Sequence, residues 1–289
     1  MRFEMEEKDS VAWVRASRVG PVFRIHLNRG DARNPLGAEM VQALGEAVES
    51  ASALGGVRVI LFTAAGPAFS AGGNLGNLGD RLAAAAGPDG KDPIAAGNRR
   101  YGEFLTRLTQ VPQVTVACVQ GAAMGGGAGL ACAVDISIGS PEARFGFPET
   151  AIGLVPGQIL PFVAARLGLP AARRLMLTGR RIDAAEACRI GLLDHVAESH
   201  QALPALTRQV LESILATAPQ ASARTKRMLG QLPMAPLESN AALCGYLDAA
   251  SELFAQQMRT EALEGVSAAR EKRPARWNEA AELSALDLA

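Results

Sequence analysis

Three short runs restrict this chain more than any other feature: VRVILFT (57–63), VTVACV (114–119) and VDISIG (134–139). Each is rich in β-forming residues and apolar on both faces at its centre, so it needs cover above and below. Such strands belong inside a parallel sheet with helices packed on it. The intervening segments supply those helices. From Glu39 to Leu54, the residues Met40, Val41, Leu44, Val48 and Leu54 recur on roughly one helical face. Upstream, VAWVRAS (11–17) and VFRIHLN (22–28) read as two strands joined at Gly20-Pro21. Strands alternating with helices predict an α/β core over residues 1–197. Beyond it strand signals stop, and the runs 203–218 and 237–270 are helical by period, giving a C-terminal helical region over 198–289. Its apolar stripes (Leu203, Leu206, Val210 and Ile214; then Leu243, Leu247 and Phe254) exceed what one small core covers, which predicts an interface between copies.

Charge and cysteine usage exclude several classes. Lys+Arg and Asp+Glu are equal at 29 each, so no net field steers polyanions, and nucleic acid and membrane surfaces are not expected partners. The four cysteines, Cys118, Cys132, Cys188 and Cys244, lie far apart among apolar residues. Buried thiols in a reducing compartment are expected, rather than disulfides or a metal site. The first residues, MRFEMEEKDS, are charged where a signal peptide needs an apolar run, so the expected location is the cytoplasm.

Two glycine-rich interruptions follow core strands: GPAFSAGGNLGNLG (66–79) and AAMGGGAGLACAVD (122–135). Ligands of open α/β proteins gather at the carboxyl ends of parallel strands. There, glycines let a ligand approach closely and leave backbone N–H groups pointing outward. Such turns suit a ligand atom that carries or develops negative charge. Phosphate motifs do not fit. Neither cluster continues into the lysine and hydroxyl of a P-loop, and Gly125-x-Gly127 meets Leu130 where a dinucleotide fingerprint needs glycine. Ser70 lacks a nucleophile elbow, and His26, His195 and His200 are too scattered to serve it. No His or Cys pair has zinc-ligand spacing. The competing explanation for the glycines is close helix–strand packing alone.

Five motifs in order carry a resemblance. LNRGDARNPL (27–36), AFSAGGNL (68–75), VQGAAMGGGAGLACAVDISIGSPEARFGFPETAIGLVPG (119–157), LTGRRIDAAEACRIGLLDHV (177–196) and AAREKRPARW (268–277) resemble the crotonase superfamily, the enoyl-CoA hydratase and isomerase group. The resemblance implies a spiral of ββα turns followed by a C-terminal helical region that assembles homotrimers or homohexamers. It implies an acyl-CoA substrate and no separate cofactor, coenzyme A being part of the substrate. It also implies that the Gly73 and Gly126 N–H groups form an oxyanion hole for the thioester oxygen. Around them Ala71, Gly72, Gly125, Gly129 and Pro148 line the substrate. Ala32 and Arg33 contact the nucleotide, and Lys272 and Arg273 reach a phosphate, unless they are a solvated helix end.

Proton transfer falls to Glu149 in the FGFPE segment, because the superfamily's other glutamate would stand at Gly129 and is missing. Asp135 is expected to hold loop backbone and Glu142 to lie at the surface. Asn74 replaces the usual aspartate after the first glycine turn, and the small, polar segment 81–100 suits a lid. One carboxylate beside an oxyanion hole suits Δ3,Δ2-enoyl-CoA isomerisation. A narrower resemblance of GGGAGLAC, FGFPET and GLVPGQILPFVAARLG to isohexenylglutaconyl-CoA hydratases favours hydration of an α,β-unsaturated acyl-CoA. A non-catalytic acyl-CoA-binding scaffold is the third alternative.

Overall fold

The computed structural model describes residues 12–73, 93–232, 260–278, 283, 285 and 286. An antiparallel hairpin opens it: β1 (Val14–Val19) pairs with β2 (Val22–Leu27) across Gly20-Pro21. Helix α1 (Ala38–Ala53) buries Met40, Leu44 and Val48, with Gly45, Ala47 and Ala51 beside them. Leu54, expected on that buried face, instead caps the helix in extended conformation and is exposed, because the chain has already turned toward the next strand.

Three successive turns then repeat one plan. The strands β3 (Val59–Ala64), β5 (Val114–Val119) and β7 (Ile136–Gly139) lie in a large sheet. Each is followed by a three-residue strand of a second sheet: β4 (Ala68–Ser70), β6 (Ala122–Met124) and β8 (Arg144–Gly146). The first two turns close with helices α2 (Pro93–Gln110) and α3 (Gly126–Ala133). The third closes with a 3-10 turn (Pro148–Ile152) and α4 (Leu160–Thr178). Then β9 (Arg181–Asp183), α5 (Ala184–Arg189) and β10 (His195–Val196) complete the two sheets. The large sheet has the order β1-β2-β3-β5-β7-β10 and the small one β4-β6-β8-β9. Beyond the opening hairpin the large sheet is parallel, and the small sheet is parallel except for β8–β9. This is the crotonase-type ββα spiral.

The helical region lies directly on that core. Helix α6 (Leu203–Leu215) packs Leu203, Val210, Leu211 and Ile214 on Val22, Val59, Leu61, Val116 and Ile138 of the large sheet, followed by α7 (Pro219–Gln231) and α8 (Glu261–Glu271). The Leu203, Val210 and Ile214 stripe, expected to need a partner copy, is therefore covered by its own chain, with Leu206 packed at its edge. Leu243, Leu247 and Phe254 lie outside the described residues. Arg58 in the loop before β3 ties the layers together, donating to the carbonyls of Leu215 and Thr217 at the end of α6 and to that of Trp277.

Side chains expected to be structural are so. Asp135 Oδ2 accepts from the backbone N–H and hydroxyl of Thr115 and from Lys226, and Glu142 is exposed. His26 sits in β2 against the Thr63 hydroxyl, and burial beside Arg24 and Arg15 lowers its pKa to about 4. Cys118 and Cys132 are buried free thiols, burial pushing Cys132 up to about 12. Cys188 differs from expectation: Ala184 and Ala187 take the inward face of the short α5 helix, leaving the thiol exposed. Cys244 lies outside the described residues. None of the described helices is long and apolar enough to cross a membrane.

Candidate active site

The two glycine turns meet because β4 and β6 are parallel neighbours that end side by side. Leaving β4, the chain is pinned before it reaches the first turn. The Ser70 hydroxyl donates to the Asn34 carbonyl (2.8 Å) and accepts from the Gly72 N–H (3.1 Å). The Ala71 N–H donates to the Arg33 carbonyl, and the Leu36 N–H to the Gly72 carbonyl, so the 30–36 loop runs alongside the turn. Asn34 organises that loop from its buried position in left-handed backbone. Its side chain accepts from the Arg29 N–H and donates to the carbonyls of Ala65 and Ala68. An Asn tolerates that conformation where most residues do not.

Gly72 has φ +87°, and a Cβ there would stand 2.5 Å from the Met124 carbonyl oxygen and 3.5 Å from the Gly126 nitrogen. Only a residue without a side chain permits both the backbone angle and this approach. The approach puts the first turn directly against the start of α3. Among the described residues neither the Gly73 nor the Gly126 N–H has a backbone partner. For Gly126 this is the ordinary state of a first helical residue. Gly125, before the helix, has φ +52° and ψ −117°, and its N–H is tied to the Gly146 carbonyl at the end of β8.

Glu149 arrives from that same strand end. Pro148 starts the 3-10 turn with its fixed φ, where no N–H is needed. Thr150 anchors the turn by donating to the Met176 carbonyl of α4 (2.7 Å). The carboxyl is thereby laid across Gly125. A Cβ on Gly125 would sit 2.5 Å from Glu149 Oε1, so the glycine makes room for the carboxylate. Glu149 Oε2 is buried and has no hydrogen-bond partner among the described residues. Burial pushes the carboxyl above the usual carboxylate range. Native proteins rarely leave such an atom unpaired, and an acidic oxygen without a partner among the described residues, on a carboxyl laid against a glycine turn, is suited to a substrate or water.

The remaining candidates divide clearly. Ala71, Gly72, Gly73, Gly125, Gly126, Pro148 and Glu149 converge here. Gly129, one helical turn beyond Gly125, is buried, and a Cβ on it would stand 2.5 Å from Cγ2 of Ile159. Ile159 thus fills the space where the resemblance expects a second glutamate. Ala32 and Arg33 lie exposed on the 30–36 loop beside the first turn. Lys272 and Arg273 belong to the C-terminal segment. There Arg273 is engaged by Glu264, Glu271 and the Pro274 carbonyl, so its guanidinium already has local partners. Asn74 and residues 81–92 of the expected lid lie outside the described residues, and 93–100 begin α2.

Two contacting residues lie outside the expected site set. The Tyr101 hydroxyl, on α2, donates to the Gly126 carbonyl at 2.6 Å, and Ile159 packs on Gly129. Glycine at 129 signals that something large is near, but not what.

Comparison with known proteins identifies the family. The enoyl-CoA hydratase/isomerase family model matches residues 18–280. A putative enoyl-CoA hydratase of Thermus thermophilus is 35% identical over 262 residues, covering 89% of this chain and 98% of its own. The human mitochondrial methylglutaconyl-CoA hydratase is 29% identical over 266 residues, covering 87% and 72%. The crystal structure of an enoyl-CoA hydratase/isomerase from Marinobacter aquaeolei superimposes with a TM-score of 0.84 at 38% identity, over 92% of this chain and 99% of that one. The chain belongs to the enoyl-CoA hydratase/isomerase family.

Proposed function

We propose that this enzyme adds water across the double bond of an α,β-unsaturated acyl-CoA, with Glu149 as the only carboxylate that moves protons. The observation that carries the proposal is the buried Glu149 Oε2, which has no hydrogen-bond partner among the described residues, on a carboxyl laid across Gly125 next to the start of α3. The thioester oxygen accepts from those two N–H groups. Water oxygen bonds to Cβ, its proton passes to Glu149, and the electron pair moves onto the thioester oxygen as an enolate. Glu149 then returns a proton to Cα, and the product is a 3-hydroxyacyl-CoA. Preorganised donors at a developing oxyanion are each worth roughly 10²–10³ in rate. A carboxyl lifted by burial toward working pH is better matched to taking and giving a proton in one cycle.

Coenzyme A lies along the 30–36 loop at Ala32 and Arg33, and no further cofactor takes part. A homotrimer or homohexamer in the cytoplasm completes the reading; exposed Ile152, Leu154, Val155 and Leu160, just after Glu149, are the apolar surface for subunit contact.

The Ile159 side chain over Gly129 favours a second reading, Δ3,Δ2-enoyl-CoA isomerisation, because it leaves one carboxylate, which suffices to carry a proton from Cα to Cγ. Turnover of enoyl-CoA thioesters in ¹⁸O-labelled water separates the two. Hydration puts label into a 3-hydroxyacyl product, whereas isomerisation shifts the double bond without it. Glu149→Gln should lower either rate by roughly 10²–10⁴ while CoA-ester binding survives. Equal activity of wild type and Glu149→Gln would overturn the one-carboxylate mechanism. Binding without conversion by wild type would assign a scaffold instead.

A further inference from the structure

We infer that Tyr101 is a positioning residue for the oxyanion hole, holding residue Gly126 through its carbonyl and Cα while the N–H on the other side of that Cα faces the substrate; this rests on the function proposed above. Three consecutive glycines, 125 to 127, form the most deformable backbone a chain can build. An oxyanion hole is effective only when its donors are fixed before charge develops. Part of the rigidity comes from helix α3, which Gly126 begins, and from the bond of the Gly125 N–H to Gly146; the rest must come from outside the turn.

Tyr101 supplies it in two ways. Its ring and the Leu36 side chain occupy the space beside the Gly126 Cα: a Cβ there would lie 3.3 Å from Tyr101 Cε1 and 3.0 Å from Leu36 Cδ1. Its hydroxyl donates to the Gly126 carbonyl at 2.6 Å. The residue whose N–H points toward substrate is thus gripped at its carbon and at its oxygen. Burial, with Cys132 and Glu149 nearby, holds the phenol above its usual range, so it remains a donor throughout the working pH of the enzyme.

Tyr101→Phe keeps the ring against Gly126 and removes only the hydroxyl. In the full-length enzyme, exchange of the α-protons of butyryl-CoA with D₂O should slow by about three- to tenfold, the worth of one net hydrogen bond. KM for butyryl-CoA should stay at the wild-type value, and the Tm should fall by no more than the roughly 1–3 °C that one lost hydrogen bond costs a chain this size. The decisive readout is the carbonyl infrared band of bound crotonyl-CoA carrying ¹³C at C1. Donors at the thioester oxygen lower that band, and Tyr101→Phe should return it part of the way to the free value. A lowered wild-type band that Tyr101→Phe leaves unmoved overturns the inference, whatever happens to the rate. Slower exchange with a lower Tm and an unmoved band does so too, because Tyr101 would then act on folding alone. A wild-type band equal to that of free crotonyl-CoA sinks the oxyanion hole itself, which separates the two failures.

Discussion

Gly72 and Gly73 are neighbours in sequence, yet alanine should affect them very differently. At Gly72 a methyl group meets two penalties. The left-handed backbone, φ +87°, costs an L-residue roughly 1–2 kcal/mol. The new Cβ would stand 2.5 Å from the Met124 carbonyl oxygen, and relieving a backbone clash of that kind costs about 1–3 kcal/mol. The sum is about 2–5 kcal/mol, and its midpoint lowers the Tm of a chain this size by about 6 °C. The relief must also push the first glycine turn away from the Gly126 nitrogen, so activity should fall further than stability explains. At Gly73 nothing among the described residues lies within 4 Å of the added carbon, and φ is not positive. Gly73→Ala keeps its N–H and should shift the Tm by about 1 °C or less, within the usual ±0.5 kcal/mol of a harmless substitution. Thermal unfolding followed by circular dichroism, with α-proton exchange of butyryl-CoA at a temperature where both variants are folded, measures the contrast. Equal Tm values for the two variants would refute the close approach of the two turns.

Two further expectations follow. Glu149 is held above its ordinary pKa by burial, so its ionised form destabilises the fold. That penalty is absent below the unfolded-state pKa and present once pH rises through the folded one. Glu149→Gln should therefore have the higher Tm at neutral pH and lose that advantage on acidification toward pH ~4; a constant difference across the titration would contradict the burial. Light scattering at micromolar protein should report a trimer or hexamer, and a monomeric mass would remove the role given to Ile152, Leu154, Val155 and Leu160.

The large sheet was legible because its central strands are apolar on both faces, a demand that only a covered parallel sheet meets; VTVACV matches β5 residue for residue. The small sheet was not. AFS, AAM and RFG are three-residue strands, too short to show a period, and their pairing depends on where the large sheet ends. That the two glycine turns and Glu149 come together was legible from the place of the turns after strands and from the FGFPE motif. Tyr101 was invisible, since an aromatic on a helix ordinarily signals core. The oligomer argument from Leu203, Val210 and Ile214 failed physically: the sheet that covers them is built from strands spread between Val22 and Gly139, which periodicity cannot place opposite a helix.

The Gly129–Ile159 contact also bears on how this enzyme can change. A glutamate is one nucleotide away from many glycine codons, so a second carboxylate at 129 looks within easy reach. It is not, because Ile159 Cγ2 stands 2.5 Å from where the new Cβ would go. Shrinking Ile159 first opens a cavity that costs about 2–5 kcal/mol, a large part of the stability of a natural domain. Each change is harmful without the other, and only together are they compatible. The pair acts as a mutational ratchet. A chain that carries the pair has no room for a side chain at 129 until Ile159 changes too.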